Sequence, residues 1–146
     1  MTTSDTALKA IGDFLAASIP GTALAAVPIH LTGDADLLEP PHLTVIETGS
    51  EEHEVLRGVL RLSLRIDLTT IPGEDEDESI SAANHRAMAA ALDTLLIGPG
   101  CDYSRLEYHM QAVPGFQSWG IWGLAPSLSA EGGRRVTSMP LVMVCQ

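Results

Sequence analysis

Five histidines, two cysteines and nineteen carboxylates are the groups with which this 146-residue chain could hold a metal, move a proton or attack a substrate. Their spacing argues for none of these. His30, His42, His53, His85 and His109 stand singly. No two of them sit at the i, i+4 interval that places two imidazoles on one helix face, and none accompanies a Cys-x-x-Cys pair. Cys101 follows a Gly-Pro-Gly turn behind a predicted helix C-terminus, where the negative end of the dipole disfavours a thiolate. Ser104 and Ser118 lack the Gly-x-Ser-x-Gly setting of an exposed nucleophile. Neither a phosphate loop nor a dinucleotide fingerprint is present. Glu51, Glu52 and Glu54 flank His53 in a polar stretch that reads as a solvated turn rather than an acid/base pair. These residues predict a protein that is not an enzyme and carries no metal or cofactor.

Charge patterning points instead to interaction. Glu74, Asp75, Glu76, Asp77 and Glu78 are five consecutive carboxylates that repel one another, stay solvated, and complement the positive end of a helix that starts just after them. They lack the spaced oxygen ligands and central glycine of a calcium loop. Arg57, Arg61 and Arg65 recur every fourth residue, so an extended chain puts all three on one face. That basic stripe could meet the acidic run of a neighbouring subunit, fixing register and orientation more than raw affinity. Trp119 and Trp122, three apart among glycines, fall on opposite faces of a strand, and Trp122 is taken as a candidate interface anchor. The candidate interface residues are thus Arg57, Arg61, Arg65, Glu74, Asp75, Glu76, Asp77, Glu78 and Trp122.

The element that must position the arginines is the longest alternating stretch of the chain, Val55 to Thr70. Leu56, Leu60, Leu62, Leu64, Ile66 and Leu68 share one face of it, and the arginines, Ser63, Asp67 and Thr69 share the other. Ahead of it, Leu43 to Thr48 reads as a strand led in by Pro40-Pro41, and the polar Gly49 to Glu54 connection makes the two an antiparallel hairpin. Leu8, Ile11, Phe14, Leu15 and Ile19 recur at helical spacing, with Ser4 or Asp5 as cap and Pro20-Gly21 as stop. Ala26 to Leu31 reads as a short edge strand, followed by a turn at Gly33 to Asp36. An alanine-rich helix capped by Ser79 or Ser81 runs to Ile97 and ends at Gly98-Pro99-Gly100. Beyond it, Leu106 to Met110 and Gly115 to Leu124 read as strands and Ser127 to Gly133 as a loop. Arg134 to Cys145 reads as a strand interrupted by Pro140. The predicted architecture is one α+β domain over residues 1–146, with a mostly antiparallel sheet of four to six strands and two helices packed on one face.

Composition sets the remaining bounds. Hydrophobic residues make up 45% of the chain and charged residues 18%, a globular balance. No apolar run reaches the roughly twenty residues that cross a bilayer, and the first residues carry no secretory-signal pattern, which predicts cytosolic synthesis and no membrane partner. Two cysteines make no disulfide framework. A net charge of −11 removes long-range attraction to phosphate backbones, so nucleic acid would be let past rather than held.

The order of elements, with its Pro41-His-Leu-Thr-Val-Ile-Glu47 strand, long alternating strand, alanine-rich helix and terminal strands, resembles the small tail terminator and tail-completion proteins of long-tailed bacteriophages. The resemblance is one of pattern and size over most of the chain, without a signature motif, and residues 116–133 have no counterpart in it. It implies a self-associating ring, usually a hexamer, in the tail or neck of a virion. Such a ring caps the tail tube, touches the tail tube protein and the head-completion or connector protein, and lets DNA pass without specific binding. The arginine strand and the hairpin around Gly49 to Glu54 would be the matching contact elements. A component of a contractile injection or secretion assembly is the nearest alternative, and a small α+β ligand-binding domain or enzyme the next.

Overall fold

The computed structural model describes residues 4–31, 39–52, 57–73, 76–97, 103–114, 117–123, 125–131 and 133–146. These form three helices and six strands: α1 (Ser4–Ser18), β1 (Ile29–His30), β2 (His42–Glu52), β3 (Leu60–Thr70), α2 (Glu78–Leu96), α3 (Ser104–Gln111), β4 (Ser118–Gly123), β5 (Ser127–Glu131) and β6 (Arg134–Cys145). The strands make one sheet in the order β1-β2-β3-β6-β4, with β5 joining β6 beyond β4. The class is α+β. The sheet is mixed rather than antiparallel throughout, because the two-residue β1 pairs in parallel with β2 at Leu43 and Thr44.

The β2–β3 hairpin is present and longer than expected, since β2 runs on to Glu52 opposite Leu60. A bulge between Glu47 and Gly49 absorbs one extra residue, after which Gly49, Ser50, Glu51 and Glu52 continue the ladder against β3. Strand β3 begins at Leu60, three described residues later than predicted, and Val55 and Leu56 of the predicted strand lie outside the described residues. Arg57 and Gly58 form a turn, where Gly58 takes a φ of 76°. β6 is the central partner, pairing with β3 from Thr70↔Arg135 to Leu60↔Cys145. It passes through Pro140 without interruption. Pro140 lies between the end of β4 pairing at Leu141 and the start of β5 pairing at Ser138, so on that side no described strand requires its missing N–H.

The apolar face of β3 behaves as its alternation predicts: Leu62, Leu64, Ile66 and Leu68 are all buried. Directly opposite residues share a face, so Leu43 and Val45 of β2 and Met139, Leu141, Met143 and Cys145 of β6 extend the same layer. Over it lie α1, through Ile11, Phe14 and Leu15, the C-terminal half of α2, through Leu92, Leu95 and Leu96, and α3, through Leu106 and Met110. Among the described residues three helices therefore cover this face instead of two. The third replaces the predicted strand at Leu106 to Met110, and β5 replaces the predicted loop at Ser127 to Gly133. Gly33 to Asp36, Gly98 to Cys101 and Phe116, also assigned from sequence, lie outside the described residues, as do His53 and Glu54.

Candidate interaction surface

The second face of β3 carries Arg61, Ser63, Arg65, Asp67 and Thr69, and their exposure changes along the strand. Arg61 is exposed, Ser63 and Arg65 are half-buried, and Asp67 and Thr69 are buried. The arginines predicted as one stripe therefore have three different environments. Arg57 is exposed in the turn before β3. Arg61 stands opposite Glu51 of β2, with Val144 of β6 on its other side. The Arg65 Nε donates to Asp67 Oδ2 at 2.9 Å, an ion pair along one strand in which the carboxylate side is almost wholly shielded. Arg61 is thus the strand's arginine most open to a partner, while Arg65 is occupied within the chain.

The same face continues onto β4, where Trp122 lies opposite Val142 and is 40% exposed, with Val142 and Val144 buried beside it. At the other end of the sheet, among the described residues, β2 is paired on its outer side only at Leu43 and Thr44. From Val45 to Glu52 no described strand lies against its outer edge, and from Glu47 onward every residue is exposed. This edge bears Glu47, Glu51 and Glu52, charges of the kind that discourage indiscriminate strand pairing.

The acidic run has local duties. Glu74 and Asp75 lie outside the described residues. Glu76 Oε1 accepts from Asn84 Nδ2 at 3.0 Å. Asp77, not Ser79 or Ser81, is the N-cap of α2: its Oδ1 accepts from the Ile80 amide at 2.9 Å and from the Ser79 hydroxyl at 2.7 Å. Those two bonds, the backbone one foremost, hold its carboxyl below the ordinary aspartate value. Glu78 meets Arg135 of β6 at 3.1 Å through a highly exposed side chain. Sequence reading missed Arg135 as a fixed point for this segment, because only the fold brings it back to the start of α2.

His85, one of the groups considered for chemistry, is set by the fold in a specific polar environment. It is buried on α2 between two threonines, with Nδ1 2.7 Å from Thr70 Oγ1 and Nε2 2.7 Å from Thr137 Oγ1. Removal from water, helped by the nearby Arg135 charge, pushes its pKa below the ordinary histidine value. His30 and His42 meet edge to face at 6.2 Å on the sheet's second face, and His109 packs against Phe14 at 5.4 Å. Among the described residues no three His, Cys, Asp or Glu side chains converge as metal ligands. Burial raises the Cys145 thiol above its ordinary pKa, which suppresses the thiolate. Apolar side chains of all three helices fill the space over the sheet. A groove of about 630 Å³ runs between α1 and α3 beside Phe14, Tyr108 and His109. No described helix is long and apolar enough to cross a membrane.

No family model matches the chain, and no curated protein matches it. Among solved structures it is similar to a chain of the virion of a native gene transfer agent particle. That similarity has 14% identity and a TM-score of 0.49, over 97% of this chain and 90% of the other.

Proposed function

We propose that this chain is a structural subunit of a phage-like virion and, within it, the tail terminator. In this reading it forms a ring, a hexamer, that caps the tail tube, joins it to the head-completion proteins and leaves a channel for DNA. The observation that carries the proposal is the edge of β2 from Val45 to Glu52, which no described strand covers. An edge of this length is a template for another chain, and closed cyclic symmetry satisfies every copy of it without leading to fibres. Its three glutamates restrict which surface can approach. Arg57, Arg61 and Trp122 supply the complementary contacts, with Glu76, Asp77 and Glu78 of an adjacent copy as the acidic counterpart. The net charge of −11 suits a channel wall that does not retain a polyanion. The order of elements that resembles tail terminators adds support of a different kind, from pattern instead of surface physics.

The test is the mass of the purified chain across a concentration series, with particle images of the largest species, alone and with tail tubes. A closed ring with a central channel is the expected result. A monomer at every concentration under both conditions overturns the proposal.

A further inference from the structure

The two halves of α2 are fastened to the sheet by different forces. In the C-terminal half Leu92, Leu95 and Leu96 are buried in the core. In the N-terminal half only Ser81 and His85 are buried, while Ile80, Ala83, Asn84, Arg86 and Ala87 face solvent. What spans from the buried positions of this half to the sheet is polar: His85 to Thr70 at the end of β3 and to Thr137 on β6, and Glu78 to Arg135 at the surface; Met88, at the border of the two halves, is partly buried against the core. We propose that the first half of α2 is an acid-released flap, latched by His85 between Thr70 and Thr137. This inference does not depend on the ring reading.

A neutral imidazole has one donor and one acceptor, so one threonine hydroxyl donates to it and the other accepts from it. Protonation turns both ring nitrogens into donors, which two hydroxyl oxygens can still accept. Geometry alone therefore does not open the latch; the buried charge does. The groups facing the ring from the packed elements offer that charge little compensation. β3 presents Thr70 and β6 presents Thr137, with Arg135, a like charge, two residues earlier on the same face. β5 places Leu128 opposite Thr137 and Ala130 opposite Arg135. From the segment before the helix, Glu76 lines the same small cavity as His85, Thr70 and Ser81, and its Oε1 is engaged by Asn84. Glu78 on α2 is paired with Arg135.

The closed flap prefers neutral histidine, and the opened flap lets the ring titrate near its ordinary value of 6.5. The latch is therefore fully effective above that value and weakens as pH falls through it toward the lower value of the closed state. Each pH unit below the free-histidine value favours opening by about tenfold while the closed ring stays neutral. Leu92, Leu95 and Leu96 hold the other half in place meanwhile, so the opening is local. It would uncover the ends of β3 and β6 near Thr70 and Thr137, and move the acidic cap segment with it.

Amide exchange of the full chain, read residue by residue and corrected for the intrinsic rate, tests this between about pH 7.5 and about pH 5.5. Protection at residues 81–88 is expected to fall roughly tenfold across that range while protection at 92–96 and at Leu62 to Leu68 of β3 stays constant. In His85→Gln, which keeps a polar side chain but does not titrate there, the pH dependence at 81–88 should vanish. Thr137→Val keeps the histidine and should raise exchange at 81–88 at neutral pH without affecting 92–96, a readout that stands even where His85→Gln fails to fold. The proposal is overturned by constant protection in the wild type, by an unchanged pH slope in His85→Gln, or by a Thr137→Val variant that exchanges at 81–88 like the wild type.

Discussion

The two faces of β3 are built from the same eleven residues under different rules. On the helix side Leu62, Leu64, Ile66 and Leu68 are uniformly buried, and most of their companions are apolar: Leu43 and Val45 on β2, and Met139, Leu141 and Met143 on β6. On the other side burial changes from exposed Arg61 to buried Thr69 within five alternate positions. The first face is a core, whose stability comes from removing apolar area from water. The second is a surface at one end and a buried polar layer at the other, and there the neighbours of each side chain decide its role. Alternation in a sequence identifies two faces; it does not say what lies against either of them.

The largest effect that separates the faces should come from Ile66→Ala. The side chain is fully buried between the sheet and the helices, and its loss is expected to cost about 2–5 kcal/mol, the range for truncating a large aliphatic residue in a packed core. Denaturant unfolding gives the value, and a loss comparable to that of a surface truncation would deny the helix-side layer its status as the core.

Asp67→Ala probes the buried end of the second face. The substitution removes the Arg65 partner and a shielded carboxylate whose Oδ1 has no hydrogen-bond partner among the described residues. Because Arg65 is about two-fifths exposed, water can solvate the guanidinium left behind, so the expected cost is about 1 kcal/mol and well below that of Ile66→Ala. The variant should also free Arg65 and remove one negative charge from a strongly acidic chain, which would show as weaker retention on an anion exchanger. A loss equal to that of Ile66→Ala would mean that the ion pair is part of a core in its own right.

These contrasts also explain which elements were legible in the sequence. β3 was, because Leu62 to Leu68 alternates without a break and one face is wholly apolar. α1 was, because Ile11, Phe14 and Leu15 repeat at helical spacing and are buried as that spacing requires. α3 was not: Leu106, Tyr108 and Met110 alternate as in a strand, but Leu106 and Met110 are also four apart, as on a helix face. Leu106 and Met110 are buried while Tyr108 is 81% exposed, and that outcome identifies the helical period. β5 was missed because Ser127, Ser129 and Glu131 look like loop residues. The Gly-Gly pair between Glu131 and Arg134 was the available hairpin signal. The short parallel β1 gains its identity from β2 alone, and two residues carry no period. At the candidate interface, sequence placed three arginines on one face but could not foresee that Asp67 would occupy Arg65 or that Glu51 would stand opposite Arg61.

That last pairing shapes the smallest and most discriminating prediction. Arg61→Glu should impair assembly of the proposed ring while leaving the fold in place, but it also sets two like charges directly opposite one another on β2 and β3. Such a cross-strand pair costs on the order of 0.2–1 kcal/mol, so a weakened ring in this variant alone could reflect the hairpin rather than the interface. Arg61→Gln removes the positive charge without the repulsion, and its effect on unfolding should be under about 0.5 kcal/mol, as for an ordinary surface change. If Arg61 faces a neighbouring subunit, both variants shift assembly to higher protein concentration, the glutamate more than the glutamine. The wild-type assembly should in turn weaken with added salt, because the contact lies at an exposed position and is screened. If Arg61→Gln assembles at the same concentration as the wild type, the arginine takes no part in the interface, and the surface that would close the proposed ring must be sought along the outer edge of β2.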